Sequence, residues 1–204
     1  MGLTPQDLVA RVAALAPSAT AAPVELVRGQ AVVFVPREQI APVLPLLRDH
    51  PELQFTQLMD LSCVDYLGRT PRFEIVYQLL SFPLRQRLRV KVTVPEDDPV
   101  IASAVAVWKS ANWAEREVYD MFGIRFAGHS DLRRILLWDS YAEGFPLRKD
   151  FPLRGRFSRS EQLSQALNAN PNAKYAMEEL SAADAFHELP ADMRARLLRE
   201  TGKG

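Results

Sequence analysis

The stretch Phe73–Val94, FEIVYQLLSFPLRQRLRVKVTV, decides the fold. In its first half Phe73, Ile75, Tyr77 and Leu79 alternate with Glu74, Val76, Gln78 and Leu80. That pattern predicts a strand apolar on both faces near its end, hence one inside a sheet. In the second half Leu88, Val90, Val92 and Val94 alternate with Arg87, Arg89, Lys91 and Thr93, a strand with one dry and one wet face. The FPLRQ segment between them makes the pair an antiparallel hairpin.

Upstream, residues 53–64 mix apolar side chains with Asp60 and Cys63 and read as a further strand. Ile40, Val43, Leu44 and Leu47 fall at helical spacing around 38–48, disturbed by Pro42 and Pro45. Val24–Arg28 and Ala31–Val35 flank Gly29-Gln30, which suits a type II′ hairpin with glycine first. Thr4, Pro5 and Asp7 mark a helix start, and Leu8, Val12 and Leu15 supply its apolar stripe. Downstream, Asn112 is expected to cap a helix, with Glu115 completing the box and Gly123 as its stop. Ala114, Val118, Met121 and Phe122 form its apolar face; Trp113, Arg116, Glu117 and Asp120 share another. From Gly123 to Gly155 no period stands out, yet the aromatic and leucine content opposes disorder. Short helices are expected from Ser158 to Asn170 and from Pro190 to Gly202.

The expected architecture is α+β: a mixed or antiparallel sheet of about four to five strands covered by helices. A long ordered aperiodic segment and a helical C-terminal tail follow it. The expected divisions are a platform at 1–122, an extended segment at 123–156 and a tail at 157–204.

At 204 residues the chain can bury a large core without staples. Its 25 basic and 25 acidic residues cancel, which argues against non-specific nucleic-acid binding. A single cysteine, Cys63, supplies neither an intramolecular disulfide nor a four-cysteine cluster. No apolar run reaches the roughly 18 residues of a membrane span, and MGLTPQDL carries no signal pattern. A soluble, reduced setting is expected. The charge is uneven, however: residues 112–159 interleave 9 basic and 7 acidic side chains with aromatics and prolines.

Several chemistries compete for that segment. Gly123 to Ser130 resembles a phosphate loop but has His129 where lysine is required, and it follows a helix. His50, His129 and His187 lack ligand spacing, so no metal site is expected. Cys63 reads as a buried inert thiol. Glu115, Glu117 and Asp120 would suit acid/base work, but Glu115 and Glu117 lie about 200° apart around a helix. Arg116 and Asp120, at i and i+4, read equally as a surface ion pair. Arg133-Arg134, Arg148-Lys149 and Arg154-x-Arg156 are cancelled locally by Asp131, Asp139, Glu143 and Asp150. The residues alone therefore favour a binding module with a mixed-charge surface.

The segment also carries a resemblance. Glu115-Arg116-Glu117-Val118-Tyr119-Asp120-Met121-Phe122-Gly123-Ile124, then Gly128-His129 and Leu132-Arg133-Arg134-Ile135-Leu136, resembles the signature of the C-type subunit of respiratory complex I. That is the thirty-kilodalton subunit family of the proton-translocating NADH–quinone oxidoreductase. Gly144-Phe145-Pro146-Leu147-Arg148-Lys149-Asp150-Phe151-Pro152-Leu153 resembles its second block. Ser130 departs from the proline usual after the histidine, which touches only the local turn.

The resemblance implies a non-catalytic subunit of the peripheral arm, binding no flavin, metal, cluster or quinone itself. FMN, iron–sulfur clusters and quinone would belong to partner subunits. The expected partners are chiefly the D-type subunit of complex I, with the B-type and I-type subunits nearby. Membrane association is expected only through the complex, on the cytoplasmic face of a bacterial inner membrane. The implied interface residues are Glu115, Arg116, Glu117, Asp120, Phe122, Gly123, His129, Arg133, Arg134, Gly144, Pro146, Leu147, Arg148, Lys149, Asp150 and Pro152. Phe145, Leu147, Phe151 and Leu153 are expected as apolar anchors on the D-type subunit. Three rivals stay open: the equivalent subunit of a membrane-bound hydrogenase-type complex, a free-standing hydrolase using Glu115, Glu117 and His129, and a nucleic-acid module using the arginines.

Overall fold

A computed structural model describes residues 3–17, 25–27, 29–153 and 155–156, with single helical positions at Glu161, Ser164, Gln165 and Asn168. The helix expected at 190–202 lies outside the described residues, and of that expected at 158–170 only those four positions are described. The chain divides into two compact units, Met1–Asp139 with Glu143–Arg156, and Ser140–Ala142 with Phe157–Gly204. The sheet and the signature residues belong to the first.

A five-stranded sheet forms its centre: β1 (Glu25–Val27), β2 (Gln30–Phe34), β3 (Gln57–Asp65), β4 (Phe73–Ser81) and β5 (Gln86–Val94). The spatial order is β1-β2-β5-β4-β3, antiparallel except where β2 runs parallel to β5. The expected α+β class and mixed sheet are borne out, and the β4–β5 hairpin pairs from Phe73 opposite Val94 to Ser81 opposite Gln86. β4 is internal and largely buried on both faces, as its apolar run required. On β5 the leucine–valine face is buried and the basic face is open or half-open.

The parallel β2–β5 pair needs a crossover. It contains a 3-10 turn (Arg37–Gln39) and helix α2 (Ile40–Asp49). Pro42 sits in the first turn of α2, where an N–H has no helical acceptor. Pro45 removes one internal bond, which burial of Ile40, Val43, Leu44 and Leu47 offsets. Helix α1 (Pro5–Leu15) starts as expected, Thr4 accepting from the Asp7 N–H at 3.2 Å. Both helices contribute to the same apolar core as the inner sheet face, where Phe55, Phe73 and Tyr77 are fully enclosed. Cys63 is buried too, and desolvation pushes its thiol up to about 12, so it stays an inert thiol at neutral pH.

Three expectations are corrected. Gln30 is not a turn residue: it begins β2 opposite Val27. Asn112 is not the cap of helix α3, which runs Ala111–Phe122 from Ser110 without a side-chain cap bond. A tight turn feeds this start directly, with the Trp108 N–H on the Ala104 carbonyl and the Ala111 N–H on the Trp108 carbonyl. The aperiodic stretch also contains a strand, β7 (Arg125–Ala127), parallel to β6 (Val100–Ala102). Three residues are too few for alternation to show.

Candidate functional site

Helix α3 packs against β3 and stops at Gly123, whose φ of +76° lets the chain reverse. The same glycine accommodates a close approach: a Cβ there would lie 2.5 Å from the Phe145 ring and 2.9 Å from an Arg148 guanidinium nitrogen. Charged side chains fasten the chain around α3 in three clusters: two hold the segment after Gly123 to α3 and the sheet, and the third holds the turn before α3.

The first is Asp120, which is fully buried. Its Oδ2 accepts from the N–H groups of Ile135, Leu136 and Leu137 at 3.1, 2.8 and 2.9 Å, and Oδ1 accepts from Arg134 at 2.6 Å. Burial alone would raise its pKa; the three backbone donors and Arg134 overcome this and hold it below the ordinary carboxylate value. Arg116, also buried, donates to the carbonyls of Arg133 and Arg134 at 3.2 and 3.1 Å. Arg116 and Asp120 are therefore not the surface ion pair their spacing suggested; each grips the backbone of the following segment. Arg133 is exposed and pairs with Asp131 at 2.9 Å. His129 Nδ1 accepts from the Asp131 N–H at 3.0 Å, so its Nε2 carries the proton and donates to the Asn112 carbonyl at 3.2 Å.

The second cluster centres on Arg72, which the sequence pattern did not single out. Its guanidinium forks onto Asp65 with two bonds of 2.8 Å, and both residues are buried. It also meets Glu96 at 2.5 Å, and Asp150. Asp65 takes the Lys149 N–H at 2.8 Å as well. The Arg72 fork, followed by that amide, lowers the Asp65 pKa despite burial. Arg72 likewise lowers Asp150. Beside it Arg148 lies between the rings of Phe73 and Phe145, at 5.0 and 4.6 Å from their centroids. Its Nε donates to the Phe122 carbonyl at 2.7 Å. Burial, then the neighbouring Arg72, pulls its pKa down. Asp65 was missed as well, just past the strand expected at 53–64, although it continues the buried phase of Leu61 and Cys63 on β3; Arg72, outside any periodic run, carries no such signal.

The third is Glu115, whose carboxylate accepts from Ser103 Oγ at 2.6 Å and from the Ala104 N–H at 2.5 Å. It is fully buried, and desolvation raises its pKa to about 7. It does not close a capping box, because the turn before α3 captures it. Glu117, on the opposite side of the helix, is exposed. One carboxyl is buried and the other faces solvent across the helix, and His129 is engaged by Asn112 and Asp131, so the arrangement expected of a hydrolase does not assemble.

Gly144 adopts φ +122° beside the Phe151 ring, and Leu147 donates its N–H to the Met121 carbonyl at 3.2 Å while its side chain is exposed. Pro146 is half-buried; Lys149 and Pro152 face solvent, and the Pro152 carbonyl accepts from Gly155 at 2.9 Å. Glu143, another buried carboxylate, takes the Arg156 N–H at 2.7 Å. Of the apolar anchors expected, Phe145 and Phe151 are half-buried in their own chain, while Leu147 and Leu153 are open. The mixed charge of this segment is thus spent largely inside the chain. Among the residues that stay outward are Trp113, Glu117, Arg133, Leu136, Leu147, Lys149, Pro152 and Leu153.

A family model described as respiratory-chain NADH dehydrogenase, 30 Kd subunit, matches residues 33–157, which include the sheet from the end of β2 onward and all three clusters. The chain belongs to this family. A C-type subunit, numbered 2, of the NADH-quinone oxidoreductase of Rhizobium etli is 53% identical over 124 residues, 61% of this chain and 65% of the relative, so the match spans just under two thirds of that relative's length. The C-type subunit of the same enzyme from Roseiflexus sp. is 48% identical over 153 residues, 75% of this chain and 87% of the relative. A solved trypsin-resistant fragment of Nqo5 superimposes with a TM-score of 0.52 at 35% identity, covering 62% of this chain and 98% of the fragment. A chain of an archaeal membrane-bound sulfane sulfur reductase shares the fold, with a TM-score of 0.61 at 22% identity over 81% of this chain and 91% of that one. Within the thirty-kilodalton family the charged signature is thus, in this member, mainly an internal fastening. Among the described residues no helix is long and apolar enough to cross a membrane, and no cluster of three or more His, Cys, Asp or Glu is arranged to hold a metal ion.

Proposed function

We propose that this chain is the non-catalytic C-type subunit of an NADH–quinone oxidoreductase, a rigid platform that docks on the D-type subunit and stabilises the quinone-reducing module. The B-type and I-type subunits lie nearby in this reading. Electrons pass from NADH through FMN and iron–sulfur clusters to quinone in the neighbours, coupled to proton translocation. The chain attaches peripherally at the cytoplasmic face of the membrane. The observation that carries the proposal is the match to the family model across 33–157, the span that contains strands β3 to β5 and the fastened segment. The site geometry supports it: the Asp120 and Arg72 clusters hold the 123–153 backbone, and Leu147, Leu153 and Glu117 are left outward to meet a partner. A pre-ordered loop loses less entropy on docking than a free one.

The test is affinity purification of the full chain from gently solubilised membranes, with identification of the co-eluting subunits. The D-type subunit together with flavin- and cluster-bearing subunits is the expected result. Hydrogenase-type partners would reassign the complex, and a chain eluting alone would contradict the proposal.

A further inference from the structure

The outer face of the sheet, opposite the core, carries charges that the clusters behind α3 do not use. Along β5 it presents Arg87, Arg89 and Lys91, alternate residues spaced roughly 7 Å apart. Lys91 is compensated by Glu74 at 3.1 Å. The other two differ. Arg89 is half-buried and held by two neutral amides, Nε on Gln78 Oε1 at 3.4 Å and a terminal nitrogen on Gln30 Oε1 at 3.0 Å. Arg87 is exposed, and neither arginine is among the ion pairs of the described residues. Neutral acceptors orient a guanidinium without cancelling its charge. Around the two lies a cavity of about 370 Å³, lined also by Met59 and Asp60. Met59 stands 55% exposed at the bulge where the β3–β4 register shifts.

We infer that this face is a second docking surface, in which Arg87 and Arg89 receive an aspartate or glutamate side chain from an adjoining protein surface and Met59 gives the apolar contact beside it. Charge complementarity argues for an acidic occupant: two uncompensated arginines outweigh the one carboxylate in the lining, Asp60. That carboxylate also favours a tethered single carboxylate over a free multivalent anion, which it repels more strongly. A guanidinium fixed before binding suits a bidentate carboxylate. The surface lies on strands β2–β5, apart from the loop that the proposed function uses, and it does not require the D-type subunit to be its partner.

The test uses the full chain in its own host. Arg87→Glu and Arg87→Glu/Arg89→Glu chains are purified from gently solubilised membranes over a range of salt, with Arg85→Glu on the neighbouring turn as control. A photo-crosslinking residue at position 59 identifies the facing segment by mass spectrometry. The inference expects crosslinks to an Asp- or Glu-bearing segment of a neighbour. It also expects about tenfold weaker retention in the double variant and partial recovery when that acid is changed to lysine. Arg85→Glu retains normally, and unchanged unfolding midpoints show that the variants fold. Crosslinks to a basic or wholly apolar segment, or unaltered retention, would overturn it. Saturable binding of phosphate or acetate that the double variant loses, with retention intact, would assign the cavity to a free anion and overturn it as well. A wild-type chain that elutes with no subunits fails the function proposed above; normal co-elution indifferent to Arg87 and Arg89 fails only this inference.

Discussion

Glu115 and Asp120 lie on the same helix, both fully buried, yet their carboxyls are driven in opposite directions. Asp120 meets three backbone N–H groups and an arginine, enough to keep it ionised in the interior. Glu115 meets one hydroxyl and one N–H, too little to offset its desolvation. Burial alone therefore does not set the state of a carboxylate; the number and charge of its donors decide. The difference separates two jobs at the two ends of α3. The C-terminal end grips the following segment with a charge, and the N-terminal end steadies the preceding turn with a group that titrates near neutrality.

The strongest way to break this contrast is Asp120→Ala. It strands three N–H donors and Arg134, and it should cost about 3–5 kcal/mol in urea unfolding at neutral pH. A wild-type midpoint would show that the segment is held otherwise. The pH dependence has a definite sign. Asp120 has a folded pKa below its unfolded value, so its stabilisation is complete above about pH 4 and fades as pH falls through the folded pKa. Next, Gly123→Ala drives a methyl into Phe145 at a left-handed position. A loss of about 2–4 kcal/mol is expected, read from the same curves.

Glu115→Gln sharpens the comparison in the other direction. The folded pKa of about 7 lies above the unfolded value, so the wild-type protein is favoured at low pH and loses that stability as pH rises through 7. Glutamine cannot ionise, and Ser103 can turn to accept from its amide. The variant should show a flat profile between about pH 5 and 8 and be more stable than wild type at the alkaline end by about 2 kcal/mol. An unchanged slope would mean that another group titrates. The smallest effect on folding is expected for Glu117→Ala, since an exposed side chain is lost; its thermal midpoint should match wild type while its membrane retention falls.

Much of the platform was legible because alternation reports burial directly: the β4 and β5 patterns named the inner face and the hairpin. Helix α3 was legible at its stop, where only glycine fits the turn, and misread at its start, where tertiary bonds override the local cap. Several clustered residues, such as Arg116, Asp120 and Arg148, were named from the sequence, but the geometry that joins them was not. Arg116 and Asp120 look like a solvated pair until the segment that covers them is placed. Arg72 meets Asp65 across a turn and Asp150 from a distant loop, and no local period encodes such a meeting. The mixed charge of 112–159 suggested a surface matched to a partner; most of it is matched to the chain itself.

In the proposed function the subunit acts by presenting an ordered surface and performs no chemistry of its own. Glu117→Ala tests it most directly, because the side chain is exposed and its loss spares the fold. The measurement is assembled complex per membrane alongside quinone reductase activity per assembled complex. Less complex with normal activity in each is the expected result; normal abundance with lost activity would overturn the proposed function.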